Sequence, residues 1–220
     1  MGVTAVVVAG SARALTPVAG VPMVVRAVRM LLDGATVERV TVVTAEDLRP
    51  EIEAVCAHEP VDVRSPKAHG VGAHILQRPG ATGGDDLVTA SGDEIVLLHD
   101  ARRPLAPVEL VAAVAGAVRD GHGMAVPVLP LTDTVKAVDD RGAVTGTPDR
   151  AALRVLQTPI AARARTLPAA ACVDVLGAVR RYAATGGEVR TVTGHPAAFA
   201  VRSAWDLELA ELIAHGKIRL

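Results

Sequence analysis

The stretch Glu94-Ile-Val-Leu-Leu-His-Asp-Ala-Arg-Arg-Pro104 constrains this chain more than any other. A continuous apolar run, Ile95 to Leu98, ends abruptly in a cluster of polar and charged residues, and Pro104 closes it. A short apolar run with no alternation is the pattern of a strand buried on both faces, as in a parallel sheet with helices on either side. The polar cluster then lies at the strand's carboxyl end, where open α/β sheets bind their ligands. A carboxylate there can hold a divalent metal, and an arginine beside it can grip phosphate oxygens with a planar fork. The plainer alternative is that Asp100 caps a following helix and the arginines are solvated. Two arginines beside one carboxylate tip the balance toward a site.

The rest of the chain supplies such a sheet. Thr4 to Ala9 is a β-branched run that reads as a buried strand, followed by the turn Gly10-Ser11. A strand followed by a Gly-Ser turn can begin a phosphate site, because bare backbone N–H groups approach an anion closely. One glycine is a weak signal, and the further glycines of a dinucleotide or P-loop fingerprint are missing. Met23 to Leu32 has helical spacing, with Val24, Val28, Leu31 and Leu32 inward and Arg26 and Arg29 outward. Val37 to Thr44 is a second buried strand. A helix is expected from Glu46-Asp47 through roughly Ala57, then a short strand at Val61 to Val63. This βαβαβ start predicts a parallel sheet.

Residues 64 to 84 carry Lys67, His69 and His74 among glycines and prolines, with no third ligand at a metal-binding spacing. A mobile surface loop is expected there. Residues 85 to 90 read as a short helix or strand. Pro107 to Asp120 predicts a helix and Met124 to Val128 a strand. Leu131 to Val138 alternates, Asp139-Asp-Arg-Gly142 is a hairpin turn, and Leu153 to Thr158 extends again. These segments predict a β-arm. An isolated hairpin with apolar side chains is marginal in water, so it is expected to pack on a second subunit. Pro168 to Ala184 predicts a helix, Glu188 to Thr193 a strand, and Phe199 to Ser203 an extended piece. Ser203 then caps a helix over Ala204 to Ala214, with Leu207, Leu209, Leu212 and Ile213 toward the core and Glu208 and Glu211 toward water.

Composition excludes several functions. Aromatic residues make up 1% of the 220 residues and the formal net charge is −1, so neither stacking platforms nor a basic field for nucleic acid is expected. No apolar stretch is long enough to span a bilayer, and the N-terminus lacks the basic region of a signal peptide. A soluble, cytoplasmic protein is the expectation, with Cys56 and Cys172 as free thiols.

Taken together, these residues resemble the 2-C-methyl-D-erythritol 4-phosphate cytidylyltransferases of the non-mevalonate isoprenoid pathway. His99-Asp-Ala-Arg-Arg-Pro104 is close to that family's His-Asp-Ala-Ala-Arg motif, and Asp133-Thr-Val-Lys136 to its Asp-Thr-x-Lys. Gly146-Thr-Pro-Asp-Arg150, Gln157-Thr-Pro159 and the tail Ala198 to Leu207 follow in the family's order. The resemblance implies a single α/β domain over residues 1–220 with a Rossmann-like nucleotidyltransferase fold. Its central sheet would be mostly parallel, flanked by helices, with residues 132–165 forming a protruding dimerisation arm. The implied activity is transfer of CMP from CTP to 2-C-methyl-D-erythritol 4-phosphate with release of pyrophosphate.

By the same resemblance, Asp100 would touch a Mg²⁺ ion and the acceptor, and Ala9, Gly10, Ser11 and Ala101 would line the nucleotide site. Arg103 would contact the acceptor side. Arg150 would reach from the arm into the site of a second copy to bind the acceptor phosphate, with Thr158 assisting. His99 reads as a hydrogen-bonded core histidine, Arg102 as solvent-facing, and Lys136 as an exposed arm residue or half of an ion pair.

The chain also departs from the family. Its first loop is several residues shorter and no lysine precedes Lys67. Ala200 stands where the family's closing-strand lysine falls, and the nearest candidate for its late-helix aspartate is Asp174. Two further readings therefore stand beside the transferase: a catalytically weak or inactive dimeric paralogue with a binding or regulatory role, and a nucleotidyltransferase for another sugar or alditol phosphate.

Overall fold

The computed structural model describes residues 2–34, 36–66, 90, 92–167, 171 and 174–220. In chain order, β1 (Val3–Ala9) leads through a 3₁₀ turn (Ala12–Leu15) to the two-residue strands β2 (Pro17–Val18) and β3 (Val21–Pro22) and then α1 (Met23–Leu32). β4 (Val37–Thr44), α2 (Arg49–Val55), β5 (Val61–Arg64) and β6 (Ile95–Asp100) follow, then α3 (Glu109–Arg119) and β7 (Met124–Pro130). The second half holds β8 (Ala137–Val138), β9 (Val144–Gly146), β10 (Arg154–Leu156), β11 (Ile160–Arg163), α4 (Val175–Ala184), β12 (Val189–Thr193) and α5 (Ala204–Ala214).

Eight of these strands form one mixed sheet. β1 lies between β4 and β6, parallel to both, and β5 extends the edge beyond β4, again parallel. On the far side, β11 runs antiparallel between β6 and β7. β10 pairs antiparallel with the last residues of β7, and β12 pairs parallel with it. The parallel half is the expected βαβαβ start.

Sequence pattern explains the layering. β1 and β6 are sandwiched, so β1 from Ala5 to Ala9 and β6 from Ile95 to Leu98 read as apolar runs without alternation. Val3, Ala5 and Val7 of β1 and Ile95 and Leu97 of β6 join one core with Val24, Val28 and Leu31 of α1, Ile52 of α2 and Val111, Val114 and Val118 of α3. Val6, Val96 and Leu98 point the other way, into a second core with Ile160 of β11 and Val175, Ala178 and Val179 of α4. Alternate residues serve opposite faces because successive strand side chains do.

α1, β4 and α5 occupy the residues their periodicity predicts. Ser203 caps α5 as expected, and Asp206 completes a reciprocal capping box with it. Several expectations change. Of the helix expected over Pro168 to Ala184, α4 covers Val175–Ala184, with Asp174 as its N-cap, and residues 168–170, 172 and 173 lie outside the described residues. The helix after Glu46 is shorter than expected: a 3₁₀ turn occupies Glu46–Leu48 and α2 ends at Val55, with Pro50 in its first turn. Phe199 to Ser203 joins no ladder; a 3₁₀ turn at Pro196–Ala198 precedes it. In α5 only Ala210 is fully buried, because its leucines are spread around the helix rather than along one stripe. Glu211 is not simply solvated either, since its carboxylate accepts the Ala19 N–H at 2.9 Å.

The stretch 132–165 divides between two structures. β8 and β9 make a separate two-stranded hairpin around Asp139–Gly142, whereas β10 and β11 belong to the main sheet. Lys136 is exposed and donates to the Thr147 hydroxyl at 2.7 Å across that hairpin. Cys56 is a buried free thiol, and burial pushes its pKa up to about 11. The expectations for Lys67, His69, His74, residues 85–89 and Cys172 lie outside the described residues. No helix among the described residues is long and apolar enough to cross a membrane.

Candidate active site

The carboxyl ends of β1 and β6 lie side by side because the two strands pair in register, Val8 opposite Asp100. That register brings the Gly10-Ser11 turn and the His99–Arg103 cluster to one rim of the sheet. The chain after β6 turns back at once: the Ala101 N–H donates to Val8 O at 3.1 Å and the Arg103 N–H to Asp100 O at 2.9 Å. Between them opens a cleft of about 260 Å³ lined by Ala9, Gly10, Ser11, Asp100, Arg102 and Asp174, among others. Gly10 leaves open space where a side chain would begin, so a ligand can approach the backbone closely there.

Asp100 is held by one neighbour. The Arg102 backbone N–H donates to Oδ1 at 2.9 Å, Nε lies 3.0 Å from Oδ1, and Nη2 donates to Oδ2 at 2.8 Å. Burial raises the carboxyl's pKa, but these hydrogen bonds and the Arg102 charge outweigh it and hold Asp100 below the usual carboxylate range. It is ionised at neutral pH.

Below Asp100 lies a buried polar chain. His99 and Thr158 are completely buried. His99 Nε2 faces Arg103 O at 3.3 Å, its Nδ1 faces Thr158 Oγ1 at 3.1 Å, and the Asp100 N–H donates to the same hydroxyl oxygen at 3.1 Å. A carbonyl can only accept, so Nε2 carries the proton and Nδ1 accepts from the Thr158 hydroxyl. His99 is thus neutral and structural, as its sequence context suggests.

Burial is the main cause that pushes the His99 pKa down to about 4, from an ordinary value near 6.5. Between those values the unfolded chain takes up a proton that the folded chain refuses. The stability contributed by the neutral ring is therefore fully present above pH 6.5 and is lost as pH falls through 4, amounting to roughly 3 kcal/mol. Carbon-13 NMR of the imidazoles should find His99 still neutral at pH 5, and urea melts should show stability falling across this window. A His99 that titrates near 6.5 would contradict the assignment.

Arg103 sits next to Arg102 but turns inward. It is 3% exposed, and Nη1 and Nη2 donate to Ala198 O and Leu156 O at 2.5 and 3.1 Å. Burial lowers its pKa to about 10, with the charges of Arg202 and Arg102 acting the same way against that of Asp100. It ties the end of β6 to β10 and to the turn before Phe199. Ala101, expected to line the nucleotide site, is instead fully buried in the core and does not line the cleft. Arg150 lies elsewhere in the chain: its Nη1 donates to Thr132 O at 2.9 Å, beside a shallow surface hollow shared with Leu131 and Arg154. Within one chain, then, Ala9, Gly10, Ser11 and Asp100 come together, Thr158 supports them from below, and Arg103 and Arg150 do not line the cleft.

Two residues escaped the sequence reading. Arg102 faces solvent as expected, yet it is also the carboxylate's partner, and the signal was its place two residues after an Asx-turn former. Gln157 is buried and clamps His195 through both its amide atoms, Nε2 to His195 O at 2.8 Å and the His195 N–H to Oε1 at 2.9 Å. Its place in the Gln-Thr-Pro run was the available clue. Asp174 lines the cleft, but its carboxylate caps α4, accepting the Gly177 N–H at 2.8 Å.

Comparison with known proteins gives the family and the fold. A family model described as 2-C-methyl-D-erythritol 4-phosphate cytidylyltransferase matches residues 2–215. The chain is 41% identical over 209 residues to the cytidylyltransferase of that name from Nocardia farcinica, covering 92% of this chain and 86% of that one. Identity to the corresponding Saccharopolyspora erythraea protein is 37% over 220 residues, covering 93% and 92%. The fold is similar to the crystal structure of 2-C-methyl-D-erythritol 4-phosphate cytidylyltransferase from Thermus thermophilus, with a TM-score of 0.71, 23% identity and coverage of 98% and 100%.

Proposed function

The chain belongs to the 2-C-methyl-D-erythritol 4-phosphate cytidylyltransferase family, and we propose that the Asp100 cleft is where CMP passes from CTP to 2-C-methyl-D-erythritol 4-phosphate. In this reaction an oxygen of the acceptor phosphate attacks the α-phosphorus of CTP, and pyrophosphate leaves with the electrons of the broken P–O bond. The attacking phosphate is already ionised, so no general base is required. Catalysis reduces to positioning and to countering charge on the equatorial and leaving oxygens. The single observation that carries the reading is one ionised carboxylate facing the open Gly10-Ser11 turn across a cleft at the carboxyl ends of β1 and β6.

The residues fit a Mg²⁺ ion that arrives with the nucleotide. Mg²⁺ is commonly held by one or two carboxylates plus substrate phosphate oxygens. Asp100 offers a hard oxygen donor of that kind, and no group of three His, Cys, Asp or Glu side chains among the described residues could hold a metal by itself. When bound, such an ion supplies charge neutralisation to the triphosphate. Gly10 and Ser11 present backbone to the phosphates, and Thr158 keeps the Asp100 backbone in place through its hydroxyl.

Homodimerisation belongs to the same proposal. Val138 and Val144 on the β8–β9 hairpin are 59% and 65% exposed, which favours packing on a second copy. That packing would let Arg150 serve an acceptor phosphate across the interface. The test is calorimetric titration of CTP with Mg²⁺, followed by pyrophosphate release on adding 2-C-methyl-D-erythritol 4-phosphate. Binding that needs Mg²⁺, with turnover specific to that acceptor, supports the reading. Absence of CTP binding at millimolar nucleotide would overturn it in favour of the inactive paralogue.

A further inference from the structure

Arg102 spends its polar edge on Asp100. Its Nε lies within 3.2 Å of both carboxylate oxygens, and Nη2 and the backbone N–H take one oxygen each. One residue therefore occupies both oxygens of the carboxylate suited to the metal. The pair is not buried scaffolding: the Arg102 side chain is 45% exposed. Asp100 is far more covered, its side chain 14% exposed, so the arginine end can swing into water while the carboxylate keeps its need for a cationic partner.

Two further observations give the pair a use. Arg102 is the only cation among the described residues lining the cleft, and no lysine precedes Lys67 to bring an ammonium from the first loop. A guanidinium fork also fits phosphate oxygens as well as it fits a carboxylate. Arg102 is moreover the one position at which His99-Asp-Ala-Arg-Arg differs from the His-Asp-Ala-Ala-Arg motif it resembles.

We propose that Arg102 is an exchangeable cation of the nucleotide cleft. In the ligand-free protein it latches the Asp100 carboxylate. On entry of a nucleoside triphosphate its fork moves to the phosphate chain, which frees the carboxylate for the divalent cation that the chain carries. The inference rests on the cytidylyltransferase reading and adds an order of events: the carboxylate is masked from metal until a triphosphate draws the arginine away.

The test separates the two. Mn²⁺ binding to the nucleotide-free full chain is followed by electron paramagnetic resonance in the wild type, Arg102→Ala and the Arg102→Ala/Asp100→Asn double variant. CTP binding is measured in parallel by calorimetry, without divalent cation. Arg102→Ala is expected to bind Mn²⁺ at least about tenfold more tightly than the wild type, and the added Asp100→Asn should abolish the gain. The same variant is expected to lose about tenfold to a hundredfold in metal-free CTP affinity, the usual worth of a charged hydrogen-bonding partner. Arg102→Lys keeps the charge without the fork and should fall between, which guards against a folding defect in the alanine variant. Equal Mn²⁺ affinity in wild type and Arg102→Ala overturns the latch. Unchanged CTP affinity overturns the transfer to phosphate. If none of the proteins binds CTP under any condition, the transferase reading falls, and the Mn²⁺ arm still decides the latch.

Discussion

Asp100→Asn is expected to lower kcat/KM for CMP transfer on the order of 10³-fold while lowering the thermal midpoint only modestly. The two halves of that expectation have different causes. The amide is nearly isosteric and its oxygen still accepts the Arg102 backbone N–H, so the turn after β6 survives. The lost ion pair with Arg102 is open to water on the arginine side but covered on the Asp100 side, 14% exposed, so its loss lowers stability moderately without unfolding the turn. Transition-state stabilisation is another matter, because the ionised carboxylate at the end of β6 is gone, and Asp174, the other carboxylate lining the cleft, is committed to capping α4. Steady-state pyrophosphate release beside a thermal melt would check it. A variant retaining more than about a tenth of wild-type kcat/KM would remove Asp100 from the reaction.

Thr158→Val should give the largest stability loss of any conservative change near the site. Valine matches threonine in shape, so packing is preserved and the hydroxyl alone is removed. That hydroxyl serves two buried groups, accepting the Asp100 N–H and donating to His99 Nδ1. Stranding a buried donor and a buried acceptor costs about 1–3 kcal/mol each, so a loss of roughly 3–4 kcal/mol is expected. For a chain of this size that lowers the midpoint by roughly 10 °C. Thr158→Ser keeps the hydroxyl and should recover most of the loss. If valine and serine variants melted together, the hydroxyl would not be linking His99 to Asp100.

Much of the scaffold was legible before any coordinates. α1 and α5 carry sharp apolar spacing or an N-cap, β4 ends in a β-branched run from Val40 to Thr44, and β6 opens on the apolar run Ile95 to Leu98, so local physics and final structure coincide there. That the Gly10-Ser11 turn and Asp100 share one rim was legible because each ends a buried strand, and parallel pairing places such ends together. Elsewhere local pattern was insufficient. Leu153 to Thr158 reads as extended in any environment, and nothing in it states that β10 joins the main sheet rather than the hairpin. The apolar residues of α5 suggest deep burial, but they surround the helix, and only contact with neighbours shows which of them are covered.

Arg102 and Arg103 mark the boundary. The sequence by itself determined that two arginines follow a carboxylate at the end of a buried strand, and hence that a polar cluster stands at the ligand-binding rim of an α/β sheet. From it Arg102 reads as solvent-facing and Arg103 as reaching the acceptor side; it did not foretell that Arg103 turns inward while Arg102 forks the carboxylate. That choice depends on backbone carbonyls 53 and 95 residues further along, at Leu156 and Ala198, which are brought together only when β10 and the 196–198 turn close over the end of β6. They draw Arg103 inside and leave Arg102 free to fork Asp100 in the cleft, because a buried guanidinium is tolerated only where fixed acceptors are waiting for it.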